Sequence, residues 1–79
     1  MLLNDPFVRN QARLFAERLR AAADPPAQIE LAYRIALGRR ATTTERGLAL
    51  QFLATQPAES GLVDFCHVLV GLNEFMYVD

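Results

Sequence analysis

Apolar residues recur at helical spacing along this chain, and that spacing limits it to one class of fold. The clearest case is Ile29, Ala32, Tyr33, Ala36 and Leu37. Residues spaced i, i+3, i+4, i+7 and i+8 share one face of an α-helix. No stretch alternates with period two, and the chain contains neither Asn-Gly nor Asp-Gly, the usual hairpin turns. The sequence therefore predicts an all-α protein.

Proline, glycine and capping residues set the helix boundaries. Asp5 and Asp24 each stand directly before a proline. Aspartate is a good N-cap, and proline is tolerated at the first helical position because the amide there has no helical partner. Gly38 directly follows the second helix, at the position where helices commonly end in a left-handed C-cap. Thr42 and Glu45 have the spacing of a capping box, which predicts the start of a third helix.

The break at Gln56-Pro57 ends the third helix, and we expect the fourth to begin near Ser60. The loops are two to six residues long, which favours antiparallel neighbours. The sequence therefore predicts a single domain over residues 1–79, folded as a compact four-helix bundle. The four predicted helices span residues 5–22, 25–37, 43–55 and 60–76.

The apolar faces predict the core. We expect the fourth helix to be central, since it is apolar nearly all the way round. Gly47 weakens the third helix by about 1 kcal/mol relative to alanine, which indicates a close helix contact at that point. Besides the second-helix stripe, the expected core positions are Val8, Ala12, Phe15, Leu19 and Ala22, widened by Phe7 and Leu14; Leu48, Ala49, Phe52 and Leu53; and Leu62, Phe65, Cys66, Leu69, Leu72 and Met76.

Size and charge exclude several classes of protein. The chain has 79 residues, 52% of them hydrophobic, which suits one small domain with spare apolar surface. The net charge of −1 gives no general attraction to nucleic acid or to anionic membrane. No apolar run approaches the ~20 residues that span a bilayer, and no signal peptide is visible.

No constellation of residues predicts catalysis, a metal site or a bound cofactor. Cys66 is the only cysteine, so an internal disulfide, a multi-cysteine metal site and a Cys-x-x-Cys-His haem attachment are all excluded. His67 is the only histidine, and adjacent helical residues point about 100° apart, so it forms no dyad with Cys66. Asp64 and Glu74 would lie about 15 Å apart on one helix, too far to share a substrate bond.

The second and third helices, joined through Gly38, could also form a helix-turn-helix. The recognition helix would carry a single arginine, and the net charge of the chain is negative. Both disfavour binding to phosphates, so nucleic acid is not the favoured partner. The residues that such a recognition helix would present are Thr43, Thr44, Arg46, Leu50 and Gln51.

The C-terminal segment, residues 73–79, is unusually apolar for a chain end. Exposure of Phe75 and Tyr77 to water would be unfavourable, so we expect the segment to dock on its own domain or on a partner. Arg34 could hold it down by pairing with Glu30, Glu45, Glu74 or Asp79. The candidate interface or tail-docking residues are Arg34, Asn73, Glu74, Phe75 and Tyr77.

Three segments resemble a known family. They are residues 2–8 with Gln11 and Ala12, residues 32–39 with Thr42 and Glu45, and residues 64–67 with 73–79. Together they are similar to the C-terminal region of large planctomycete proteins of unknown function, often associated with a planctomycete-type cytochrome c domain. This chain departs from the family pattern at Leu62, where tryptophan is common, and at Gly71, where asparagine is usual.

The resemblance implies an exported, multidomain parent protein, located in the periplasm or cell envelope and linked to redox or polysaccharide handling. It brings no established catalytic residues. We therefore expect a non-enzymatic accessory domain, the C-terminal piece of a larger protein, that packs on its parent, on another protein or on a second copy. One alternative is a fragment in which Arg34, Asn73 or Glu74 completes the active site of a larger exported enzyme or redox protein. A helix-turn-helix that binds DNA is the other.

The tail hypothesis predicts a stability effect. Replacing Phe75 or Tyr77 by alanine should lower the free energy of unfolding by about 2–4 kcal/mol, because a docked aromatic ring would leave a cavity. Urea unfolding of the two variants measures this cost. Unchanged unfolding would show that the tail does not dock on its own domain.

Overall fold

Four α-helices make up the part of the chain that the structure describes. The computed structural model describes the backbone of residues 6–76 and the side chains of residues 6–72. No strand occurs in the described range, so the all-α prediction is confirmed. The helices are α1 (Pro6–Leu19), α2 (Pro25–Leu37), α3 (Thr43–Thr55) and α4 (Ala58–Met76).

Helix α4 lies at the centre, as its apolar composition predicts. It contacts each of the other three helices, whereas α1 and α3 make no contact with each other within the described residues. Leu62, Phe65, Cys66 and Leu69 of α4 are buried in a single core. The other buried core residues are Val63 from α4, Ala12, Phe15, Ala16 and Leu19 from α1, Ile29, Ala32, Tyr33 and Ala36 from α2, Ala41, and Ala49 from α3.

The turn between α2 and α3 forms as its sequence predicts. Gly38 has a φ of 69° and caps α2 in the left-handed conformation, where its amide donates to the carbonyl of Arg34. The Thr42 side chain accepts a 3.1 Å hydrogen bond from the Glu45 amide, and the Thr42 amide donates to the Glu45 carboxylate at 2.9 Å. These two bonds form the predicted capping box.

The Glu45 carboxylate also links this turn to the core. Both of its oxygens accept hydrogen bonds from Arg39, at 2.8 and 2.9 Å. The Arg39 guanidinium lies 5.6 Å from the centre of the Tyr33 ring, a cation–π distance, and Tyr33 in turn stands 6.3 Å from Phe65 of α4. One carboxylate therefore connects the turn, α2 and the central helix.

Two predicted boundaries were wrong by two or three residues. Helix α1 ends at Leu19 rather than at residue 22, because the amide of Ala22 donates to the carbonyl three residues earlier and tightens the last turn. Helix α4 begins at Ala58 rather than at Ser60, because the Pro57 carbonyl already accepts from the Gly61 amide at 2.8 Å. The predicted N-cap at Asp5 lies outside the described residues.

Several residues predicted for the core face water instead. Leu14 is 51% exposed, Leu48 is 63% exposed, and Phe7 and Leu72 are exposed as well. In α3 the residue that reaches the core is Ala49, one position after Leu48. A domain this small buries a limited share of its surface, so the wide apolar faces are covered only along their centres.

The hydrogen bonds to Glu45 predict a pH effect on stability. Arg39, followed by the Thr42 amide, lowers the pKa of Glu45 from 4.5 to about 2. A lowered folded-state pKa stabilises the fold fully above pH 4.5, and that stabilisation is lost as the pH falls toward 2.

Glu45→Gln should therefore cost about 1 kcal/mol at neutral pH, the usual value of a cap with an exposed ion pair, and progressively less in acid. Urea unfolding between pH 2 and pH 7 measures the difference. Glu17→Gln is the control, because Glu17 is exposed and lies outside the ion pairs of the described residues. A cost for Glu45→Gln that does not change with pH would contradict this account.

Candidate functional site

Only one of the candidate site residues has a described side chain. Arg34 is exposed on α2. Two of its predicted partners are held by other arginines, since Glu30 bonds Arg46 at 2.7 Å and Glu45 bonds Arg39. Within residues 6–72 no ion pair involves Arg34.

The remaining candidates belong to the C-terminal segment. Asn73, Glu74 and Phe75 are part of the α4 backbone, but their side chains lie outside the described residues, as does the whole of Tyr77. Docking of the tail therefore stays a prediction.

A polar cluster that the sequence reading missed joins α1 to α4. Arg9 Nη1 lies 2.8 Å from Asp64 Oδ1 and 3.1 Å from His67 Nδ1. A guanidinium can only donate, so His67 Nδ1 accepts and the ring proton is placed on Nε2. Within the part of the chain that the structure describes, that nitrogen is buried and has no hydrogen-bond partner. Because Nδ1 is occupied by Arg9 and Nε2 is closed off from water, His67 serves as part of a clamp between helices.

No sequence signal pointed to this cluster. Sequence patterns relate residues along one helix, whereas Arg9 and His67 lie on different helices. The contact instead joins residues 58 positions apart, and it depends on how α1 lies against α4.

Cys66 is a core side chain, as predicted. It is fully buried on α4, and burial raises the pKa of its thiol from 9.0 to about 12. The thiolate, which is the reactive form, is therefore strongly disfavoured. Within the described residues, no group of three His, Cys, Asp or Glu side chains is close enough to hold a metal ion.

The first exposed apolar surface is the α1–α2 groove, a depression of about 450 Å³. Its outer residues include Leu14 and Ile35, both of which are exposed large apolar side chains. Arg18 at one end is its only charged lining residue. The residues that define this groove are Phe7, Gln11, Leu14, Arg18, Ile35 and Val70.

The second exposed surface is the α3–α4 groove, of about 240 Å³. Leu48 and Val68 stand on its rim and are 63% and 56% exposed. The only charged residue that lines it is Glu45, whose two oxygens are already bound by Arg39. The residues that define this groove are Tyr33, Leu48, Ala49, Phe52, Phe65 and Val68.

The outer surface of α3 carries no free charge. Its two charged residues, Glu45 and Arg46, are each engaged by a residue outside the helix, Arg39 and Glu30 respectively. The Glu30 pKa is lowered chiefly by the hydrogen bond from Arg46. As a recognition helix, α3 would thus offer no free cation to phosphate, and Leu50 is half-buried against the core.

The α1–α2 and α3–α4 grooves are both predominantly apolar. Glu45 beside the α3–α4 groove is neutralised by Arg39, and Arg18 is the charged residue beside the α1–α2 groove. Large apolar side chains at both grooves face water. Contiguous exposed apolar patches on a small domain mark interaction surfaces. The sequence predicts such exposed apolar surface, because the apolar faces of its helices are wider than a 79-residue domain can cover.

Comparison with known proteins gives one match. A family model described as "PSD1: Protein of unknown function (DUF1553)" matches residues 1–53, which cover α1, α2 and most of α3. This supports the predicted resemblance to a family of unknown function. No curated protein and no solved structure matches the chain. Among the described helices, none is both long and apolar enough to cross a bilayer.

The burial of Cys66 predicts its reactivity. At pH 8 the raised pKa lowers the thiolate fraction roughly a thousandfold relative to an ordinary cysteine, so a thiol reagent should label the native protein very slowly and the urea-unfolded protein rapidly. Mass spectrometry over time measures the labelling. The double variant Cys66→Ala/Leu48→Cys is the control, because its exposed thiol should react at once. Rapid labelling of the native wild type would show that Cys66 is accessible.

Proposed function

The chain belongs to the family described as PSD1, protein of unknown function (DUF1553), and we propose that it is a non-enzymatic helical docking domain. It acts by packing its exposed apolar faces against the rest of a larger protein or against a partner protein. The observation that supports this proposal most is the pair of apolar grooves with Leu14, Ile35, Leu48 and Val68 on their rims.

The energetics favour such a role. Leu14 and Leu48 are 51% and 63% exposed, so covering the part that still faces water gains about 1–2 kcal/mol each, a little over half of the value for a whole side chain. The two rim side chains of one groove therefore supply part of the affinity of a protein–protein contact, after the cost of association is deducted. The domain's own core is already closed without them, so their burial is available to a partner.

The larger protein is part of the proposal. The family resemblance supports a parent in the cell envelope that carries this domain at its C-terminal end. Arg34 and residues 73–77 would then add polar and aromatic contacts at the edge of the docked surface. Reading the genomic sequence upstream of the Met1 codon tests this directly, and the expected result is a long open reading frame in frame with this chain.

A binding measurement tests the docking role. The chain is titrated calorimetrically into the remainder of its parent protein. Leu14→Glu should weaken binding at least about tenfold, since it places a charge in a desolvated apolar contact. Asn10→Glu is the matched control, because it adds the same charge one helical turn away on α1, outside the α1–α2 groove.

Two results would count against the proposal. The first is a strictly monomeric chain with no affinity for its parent. The second is equal binding by the wild type, Leu14→Glu and a corresponding Leu48→Glu variant, which would show that neither groove takes part.

A further inference from the structure

We propose that the C-terminal segment, residues 73–79, covers the part of the α1–α2 groove beside Val70, with the ring of Tyr77 against Val70 and Ile35. The inference rests on the proposed docking function, because it names the occupant of part of one groove. Three features support it: the position of Val70 on α4, the different charges of the two grooves, and the short distance that the remaining chain must cover.

Val70 brings the last helix into the α1–α2 groove. It is the α4 residue that lines this groove, and it is half-buried there. Helix α4 continues beyond it to Met76. Positions i+3, i+4 and i+7 lie on the same face of a helix. Counted from Val70 these positions are Asn73, Glu74 and Tyr77, so the groove side of α4 leads directly into the C-terminal segment.

The same register separates the two aromatic residues of the segment. Val68 lies on the rim of the α3–α4 groove, and Leu72 and Phe75 follow it at i+4 and i+7. Phe75 therefore belongs to the side of α4 that carries Val68, whereas Tyr77 belongs to the side that carries Val70. Tyr77 is the aromatic residue that the register assigns to the α1–α2 groove.

Charge also favours the α1–α2 groove for this segment. The segment contains two acidic residues, Glu74 and Asp79, and no basic one. The charged residue that lines the α1–α2 groove is Arg18, whereas the one that lines the α3–α4 groove is Glu45. Arg34 on α2 is exposed and forms no ion pair with the described side chains. An acidic segment therefore meets cations at the first groove and a carboxylate at the second.

The remaining chain is long enough for the contact. Helix α4 ends at Met76, about 9 Å past Val70 at a rise of 1.5 Å per residue. Residues 77–79 span at most about 10 Å when they are extended. The chain after Met76 can therefore turn back to the level of Val70, which is all that the Tyr77 contact requires.

The contact gives the two grooves different roles. Tyr77 covers Val70 and Ile35 within the chain itself, while Leu14 in the same groove stays open to a partner. The α3–α4 groove, with Leu48 on its rim, is left to a partner as well. The segment then forms one edge of the docking surface.

A double-mutant cycle in the complete chain tests the contact. Urea unfolding is measured for Tyr77→Ala, for Ile35→Ala and for the double variant. If the two side chains touch, the unfolding equilibrium constant of the double variant should differ at least about threefold from the value expected for independent sites. The matched control is Phe75→Ala combined with Ile35→Ala, which should be additive because Phe75 belongs to the other side of α4.

A second readout does not depend on stability. In the complete chain with labelled methyl groups, the ring protons of Tyr77 should show nuclear Overhauser contacts to the methyl groups of Ile35 and Val70, and none to those of Leu48. The Tyr33→Phe variant leaves Tyr77 as the only tyrosine, which makes the assignment unambiguous.

Loss of either signal overturns the inference, whether the effects of Tyr77→Ala and Ile35→Ala are additive or the Tyr77 ring lacks contacts to Ile35 and Val70. Ring contacts to Leu48 also overturn it, because they would place the segment in the α3–α4 groove. So do contacts to Ile35 and Val70 from residues 1–5 in place of Tyr77, since the N-terminal segment would then be the occupant.

These outcomes are distinct from those of the docking role. Docking is measured by the affinity for the parent protein, whereas the tail contact is measured in the chain alone. A chain without the Tyr77 contact that still binds its parent would refute only the tail inference. A chain with the contact and no affinity for its parent would refute only the docking role.

Discussion

The fold depends on the burial of one face of α4 against three other helices. Helices α1 and α3 do not meet within the described residues. They are joined into one core through α4, which packs along α1, and through α2, which also contacts both. Leu69 and Cys66 are almost completely buried on this face, and Leu62 and Phe65 nearly so. Burial of large apolar side chains is the dominant favourable term in folding, at about 1.5–3 kcal/mol each. Any change that tilted α4 would disturb all of these contacts together.

Two polar clamps hold this arrangement in register. At one end, the Glu45 carboxylate ties Arg39 to the start of α3, and Arg39 lies against Tyr33, which packs toward α4. Along the other side, Arg9 joins α1 to α4 through Asp64 and His67. Exposed ion pairs of this kind contribute little energy, but they need defined geometry. The clamps therefore direct the packing that the apolar core stabilises.

The central position of α4 also explains the surface. A helix that is covered on one side only, such as α3, leaves its outer apolar residues in water, and Leu48 and Leu14 are the result. Glu45, the charged residue that lines the α3–α4 groove, is held by Arg39. The Cys66 thiol is buried, and the half-buried His67 has Nδ1 bound to Arg9 and Nε2 enclosed. What the α1–α2 and α3–α4 grooves offer to another molecule is mainly apolar shape, which supports the proposed docking role.

The sequence by itself determined the helices and most of their ends, because capping is a local interaction. Gly38, Thr42 and Glu45 act on groups within a few residues of themselves, so their roles could be predicted without knowing the fold. The burial of the apolar stripe on α2 could be predicted as well, since the stripe is no wider than the contact that buries it.

Only the tertiary structure decided which part of a wider apolar face is covered. The choice of Ala49 over Leu48 for the core, and the exposure of Leu14, depend on where α4 lies against α3 and α1. The contact of Arg9 with His67 likewise joins residues 58 positions apart. Helical periodicity gives the direction of a side chain from its own axis, but the position of the neighbouring helix decides whether that direction meets protein or water.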